Sequence, residues 1–355
     1  MISKVLLVLL LAVGAASADI DVENNHSEGF RISGYFDGGF SEWGSYNAVP
    51  SRGFTVRRSG FELNARIVET LKAEIKIEAR PDELFLKNAA INWSPSRWAE
   101  LQAGQFKSAT LLAGEQSYWN LNMFDRPLVY NLREDLTFSG RDIGIDLCVA
   151  LPEFHGMELR GTAGVFNGDE RGAEKTDDEL LYTMRGEIGV PSIDLVLGGS
   201  AVSHRQGTSN PEDPSGYSVS SRQNAISADV SLNCKISNWY GFSAAGEVST
   251  GDNWQQAEVI AGDEAPVFVG YWGKFTAFYH PWRVGGIKTI SITLGYDYLN
   301  SDTDNDYDHR RISVIGTVYP SDNIRFRFGG IMNRVDGFPV TNNYTDYIAE
   351  VGLRF

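Results

Sequence analysis

Charged side chains set at two-residue intervals opposite an apolar face can sort ions by sign; they do not by themselves break bonds. The sequence has such residues in two places. Arg58 and Arg66 alternate with Phe61, Leu63, Ala65 and Ile67, so one face is charged and the other apolar. Lys107, Glu115, Asp125, Arg126 and Arg133 lie in one long stretch, 107–139, with Arg141 just beyond it. Fixed charges around a narrow aqueous passage attract counter-ions and repel co-ions. Hydrolysis would instead need a nucleophile oriented by a base and a third group. The histidines His26, His155, His204 and His280 fall in predicted loops, turns or the N-terminal tail, and His309 at a strand edge. None has a Ser or acid partner by spacing, and no His/Cys cluster has metal-ligand spacing. The expectation is a chain with no catalytic residues, no metal and no cofactor.

The start of the chain carries an export signal. Lys4 precedes an apolar run from Val5 to Val13, and Ala16-Ser17-Ala18 forms a small-residue cleavage site. This predicts a signal peptide over 1–18, a short polar segment over 19–28 and one large domain over 29–355. No later stretch approaches the roughly 18 apolar residues of a spanning helix. If the chain enters a membrane it does so as strands. The formal net charge of −15 argues against nucleic acid as a partner.

From Phe30 onward the sequence reads as sixteen alternating segments. In the clearest, Leu71, Ala73, Ile75, Ile77 and Ala79 alternate with Lys72, Glu74, Lys76, Glu78 and Arg80. In the last, Tyr347, Ala349, Val351, Leu353 and Phe355 share one face, and Glu350 and Arg354 lie on the other. Short connections such as Glu69-Thr70 and Pro191-Ser192 alternate with connections read as mostly long and polar, Pro81 to Glu83 being the one short exception. Trp93, Trp98, Trp239, Tyr240, Tyr279, Trp282, Tyr319 and Phe355 lie beside the short turns, as an interfacial girdle would. The expected fold is all-β: a transmembrane antiparallel up-and-down β-barrel of 16 strands, with short periplasmic turns and long outer loops. Strand parity turns Cys148 inward and Cys234 outward, so they should not pair. Asp302, Asp304 and Asp306 faintly resemble a calcium loop but lack its glycine and closing Glu.

The segment 107–139 is too long and too apolar to lie free in water. Leu111, Leu112, Trp119, Met123, Phe124 and Tyr130 are among its bulky residues. It is expected to fold inward and narrow the barrel, so that Glu115, Asp125, Arg126, Arg133, Glu134 and Asp135 line a constriction. Contact with a neighbouring barrel is the alternative.

The pieces Val56-Arg57-Arg58 to Glu62, Leu86-Lys87-Asn88-Ala89, Gly104-Gln105-Phe106-Lys107 and Gly140-Arg141-Asp142-Ile143-Gly144 occur in this order. Over this quarter of the chain the sequence resembles the phosphate-selective porin O and P family. The resemblance implies an outer-membrane porin of a Gram-negative-type bacterium. It also implies a homotrimer, with the loop between the fifth and sixth strands folded into the channel. Its selective members resemble one another in a lysine-rich inward loop and an arginine ladder. Here no lysine follows Lys107 in the loop, and the two loop arginines are offset by acids. The expectation is a less selective passage for small anions or hydrophilic solutes, with mild anion preference from Arg58, Arg66, Arg126 and Arg133. Expected partners are outer-membrane lipid and lipopolysaccharide, and the barrel-assembly machinery, which the C-terminal strand with Tyr347 and Phe355 would engage. The competing readings are an outer-membrane barrel enzyme and a surface-structural or adhesive barrel.

Overall fold

A computed structural model describes residues 20–23, 29–44, 51–169, 179–205, 222–253, 265–281, 286–303, 307–337 and 340–355. The signal peptide over 1–18, His26, Trp282, Asp304, Asp306 and most of the acidic outer-loop residues lie outside the described residues.

Period-two alternation becomes strand wherever it was read. The strands are β1 (Ile20–Glu23), β2 (Gly29–Trp43), β3 (Ser51–Val68), β4 (Leu71–Arg80), β5 (Glu83–Ser96) and β6 (Ala99–Lys107). After a long loop come β7 (Arg141–Ala150), β8 (Glu158–Phe166), β9 (Leu181–Val190), β10 (Leu195–Arg205), β11 (Arg222–Lys235) and β12 (Tyr240–Asp252). The last are β13 (Val267–Tyr279), β14 (Thr289–Asp302), β15 (Tyr307–Ser321), β16 (Ile324–Gly337) and β17 (Val340–Arg354). Each strand from β2 to β17 pairs antiparallel with the next, and β17 closes on β2 through Val351↔Gly38 and Arg354↔Tyr35. The result is a closed barrel of sixteen strands. The remaining strand, β1, pairs with β2 through Ile20↔Ile32 and continues the edge where β17 stops. At four residues it is too short to show alternation, and the sequence reading placed it within the polar N-terminal segment.

The barrel is inside-out relative to a soluble domain. Ile75, Ile145, Ile292, Val314 and Phe328 are exposed on the outer wall, whereas Asp229, Thr293 and Arg325 are buried within. Closure gives each of the strands β2 to β17 a partner on both sides, and this lets strands cross hydrocarbon. Cys148 and Cys234 are both free thiols.

Two readings are corrected. The connections 303–306 and 338–339 are short, so Pro81 to Glu83 is not the lone exception to long outer loops. Strands β14 to β17 extend further than their apolar alternation, because a wall standing clear of lipid needs no apolar face. Tyr319 is not part of the girdle: it turns inward, and its hydroxyl donates to Asn122 Oδ1 at 3.3 Å. Trp93, Trp239 and Tyr240 do stand exposed outside.

Of the register shifts in the ladder, two β-bulges change which residues reach the lumen beside the loop. Asp37 pairs with Arg58 and Gly38 with Val56, leaving Arg57 as an extra residue. Lys76 pairs with Asn88 and Ile77 with Leu86, leaving Lys87 extra. A bulge re-aims side chains locally. Arg57 and Arg58 therefore both point inward, as do Lys87 and Asn88, while Val56 and Leu86 remain outside.

The chain end is held by a reciprocal pair of backbone bonds between Phe355 and Gly34, at 2.8 and 3.0 Å. The Phe355 ring lies over Gly34, where any Cβ would come within 2.5 Å of it. Deleting Phe355 is expected to lower the folded, inserted fraction several-fold, read as heat-modifiable migration of membrane-fraction protein on a gel. The conductance of barrels that do insert should be unchanged.

Candidate functional site: an inward loop and the cavity it bounds

The loop between β6 and β7 folds into the lumen. It contains three short helices: α1 (Leu112–Glu115), α2 (Tyr118–Leu121) and α3 (Leu128–Asp135). Its apolar residues find two partners on the inner wall. Leu111, Leu112, Val129, Tyr130, Leu136 and Phe138 pack with Phe166, Val202, Phe268 and Trp272. Leu121, Met123 and Phe124 pack with Ile315, Ile331 and Ile348. These wall residues are apolar at inward positions. They are the sequence signal for where the loop docks.

A loop inside a barrel has backbone groups that secondary structure does not satisfy. Side chains of the wall supply the partners. Arg311 donates to Arg126 O at 2.7 Å, Arg327 to Met123 O at 2.8 Å and Arg325 to Trp119 O at 2.9 Å. Lys274 donates to Leu121 O at 2.7 Å. In the reverse sense, Asp297 accepts from Leu128 N–H at 2.9 Å and Glu247 from Ala113 N–H at 3.4 Å. Each anchoring arginine also pairs with a wall carboxylate: Arg311 with Asp297, Arg325 with Asp37 and Arg327 with Glu350. Arg57 bridges Glu350 and the loop's Asp125. Burial raises the Asp125 carboxyl, but Arg57 and Arg311 outweigh it and hold it below its ordinary value.

Between the loop and the wall of β2 to β7 lies a cavity of about 650 Å³. Eight basic and four acidic side chains line it, in a chain of opposite overall sign. The acids are engaged. Asp37 takes Arg58 at 2.7 Å, Glu78 takes Lys87 and the Tyr35 hydroxyl, and Glu62 takes Lys76. Glu115 reaches Arg185 at 3.2 Å; burial raises its carboxyl above the ordinary value, against the pull of Arg185. Four cations bond instead to neutral oxygens: Lys107 to Gly114 O at 2.5 Å, Arg126 to Gln116 O at 2.8 Å, Arg141 to Asn88 Oδ1 at 2.7 Å and, at the rim, Arg354 to Asp322 O at 2.9 Å. Aromatic faces hold three of the arginines, Arg354 lying 4.8 Å from the Trp119 ring centre. Arg126 lies 4.6 Å from the ring centres of both Tyr118 and Tyr130, and Arg58 3.5 Å from Tyr118.

Of the residues singled out from sequence, Lys107, Glu115, Arg126, Arg58 and Arg141 meet at this cavity. Asp125 sits beside it, clamped by Arg57. Arg133 does not line it: fully buried, it donates to Ser249 Oγ at 3.0 Å and Phe138 O at 3.4 Å. Burial pushes its guanidinium down to about 10. Arg66 is exposed opposite Lys72, near the turn at Glu69 and Thr70. On the polar face of β17, Glu350 is buried under Arg327, whereas Arg354 faces the cavity. His204, read as a loop residue, lies in β10, buried against Thr137. Lys87 and Arg57 were missed as site residues because period-two parity cannot register a bulge.

No protein-family model matches the sequence, and no curated protein does. Solved structures do. OprB of Pseudomonas putida matches with TM-score 0.64 at 10% identity, covering 93% of this chain and 94% of that one. The outer membrane channel DcaP of Acinetobacter baumannii matches with TM-score 0.61 at 11% identity, covering 94% and 99%. An anion-selective porin from Comamonas acidovorans matches with TM-score 0.59 at 11% identity, covering 92% and 99%. At these identities the likeness is one of fold: the chain has the barrel architecture of outer-membrane porins.

The anchors make a testable statement. Arg327→Ala takes the nearest of three cationic partners from the buried Glu350, which keeps Arg57 at 3.2 Å and Arg325 at 3.7 Å, and frees Met123 O. The carboxylate stays partly compensated, so the cost should fall below the roughly 3–5 kcal/mol of a buried charge left without a partner. The variant should unfold at lower urea concentration, and its open-channel current should be noisier than the parent's in a planar bilayer.

Proposed function

We propose that this chain is an outer-membrane porin: a water-filled channel for passive diffusion of small hydrophilic solutes and ions, with a preference for anions. The observation that carries this reading is the cationic cavity between the inward loop and the wall of β2 to β7. Its acids are paired, while Lys107, Arg126 and Arg141 bond only neutral oxygens. A low-dielectric wall strengthens the field of such charges at close range. The predicted signal peptide and the apolar outer wall support an outer-membrane address, with lipid and lipopolysaccharide around the barrel. A homotrimer is the assembly that the family resemblance implies. Phosphate would be drawn by the same three cations. The chain shares with the phosphate-selective family the pieces that carry Lys87, Lys107 and Arg141, but not its lysine-rich loop.

Reversal potentials in a salt gradient test the reading. The parent should favour chloride over potassium, and Arg126→Glu should abolish or invert that preference. Arg133→Gln should leave it unchanged, because Arg133 faces the wall and not the cavity. A preparation that forms no stable conductance would overturn the channel itself.

Glu115 adds a pH dependence. Its raised carboxyl loses its charge at a higher pH than an ordinary Glu as the solution is acidified, while the arginines keep theirs. Anion preference should therefore rise on acidification from neutral pH. Glu115→Gln should show the higher preference already at neutral pH and flatten the upper part of the profile.

A further inference from the structure

A second cavity, of about 630 Å³, lies on the far side of the loop tip. It shares Gln116, Trp119 and Arg354 with the first and is otherwise walled by β11 to β15 near the short turns. Its chemistry is different. Besides His280 and the Tyr319 phenol, its titratable side chains are Lys274, Asp322 and Arg354. Lys274 is held by the loop through Gln116 Oε1 at 2.8 Å and Leu121 O at 2.7 Å, and Asp322 pairs with Lys288.

What remains is a wall of hydroxyls and amides around the Phe278 ring, with Trp119 of the loop and Tyr319 of β15 also lining the cavity. Ser231 and Asn233 project from the same face of β11, and Ser243 sits directly across from Asn233 on β12. The side chains of these three make no hydrogen bond among the described residues. Next to them the Phe278 ring lies over Gly241, where a Cβ would come within 2.5 Å of it. Ser291 stands across from Phe278 on β14. Only glycine at 241 lets the ring lie flat against the wall among these polar groups.

We propose that this cavity is a subsite for a neutral polyhydroxylated solute, a saccharide of one or two rings. Hydroxyls and amides both donate and accept, as sugar hydroxyls do. An aromatic face suits the C–H side of a sugar ring. The volume lies within the range of small-molecule sites. An anion would find its cations in the first cavity. A metal ion would find Asp322, already paired with Lys288, and His280, whose Nδ1 is engaged with the Thr289 hydroxyl. The proposal goes beyond the diffusion reading and does not depend on it.

Saturation-transfer NMR with maltose on the purified, detergent-solubilised full chain tests it. A polyethylene glycol of the same hydrodynamic size is the control for simple partition into the lumen. Maltose should give a saturable signal that the polymer does not. The Asn233→Leu/Ser231→Val variant should weaken apparent affinity about five- to tenfold, the loss of one or two hydrogen bonds. Phe278→Leu, checked for folding by heat-modifiable migration, should reduce transfer to the sugar C–H protons. Neither variant should move the reversal potential. A maltose signal no greater than the polymer's, or one unchanged in the folded variants, overturns the proposal. A barrel that binds maltose but passes no current removes the diffusion reading and leaves this site. A barrel that conducts without saturable maltose binding does the reverse.

Discussion

A loop inside a closed barrel must have its backbone satisfied from the wall, and much of the lumen follows from that requirement. The loop is too short of regular structure to satisfy itself: its helices have four, four and eight residues. Neutral side chains could supply hydrogen bonds, but a guanidinium can bond a loop carbonyl and a wall carboxylate together. Arg311, Arg325 and Arg327 each do so. The carboxylates Asp297, Asp37 and Glu350 are thus part of the loop's attachment. A buried arginine without them would carry the full cost of desolvation.

This requirement divides the basic residues of the lumen into two kinds. The anchors on β15 and β16, Arg311, Arg325 and Arg327, bond loop carbonyls and pair with carboxylates, so little of their charge remains for a solute. Those around the first cavity sit on β2 to β7, on β17 and on the loop itself. Arg126 is the instructive case. It accepts aromatic faces from Tyr118 and Tyr130 instead of a carboxylate, which fixes its position and leaves its charge uncompensated. Arg133, only seven residues later and on the same loop, is turned the other way and buried. Position on the loop, more than residue type, decides whether an arginine faces the cavity or the wall.

The same division explains what could be read from sequence. A closed barrel follows from alternation because a membrane wall has one apolar face for most of its height, and the pattern of Leu71 to Arg80 is hard to place otherwise. The inward loop was legible too, since Leu111, Met123 and Phe124 need a surface to cover them. The site was legible only in part. Parity arithmetic assumes an unbroken ladder, and two bulges hid Arg57 and Lys87. Charge alone could not show that Arg133 turns from the cavity, because that depends on where Phe138 and Ser249 meet in space. The short ladder of β1 carried no signal at all, being fixed by the free edge of β2 below the end of β17.

An acidic chain with a cationic cavity is no contradiction. At physiological ionic strength the Debye length is about 8 Å, so exposed charges further apart than that are largely screened. Charges that line a cavity between a loop and a wall act at contact distance, with protein on both sides, and are screened much less. The four acids of the cavity are each neutralised by a neighbour within hydrogen-bonding or ion-pair distance. The local sign is therefore set by Lys107, Arg126 and Arg141, and substitutions in outer loops should alter it far less than a single change among these three. Net charge describes how the molecule behaves in bulk solution; the pairing state of a dozen side chains describes what a solute meets inside.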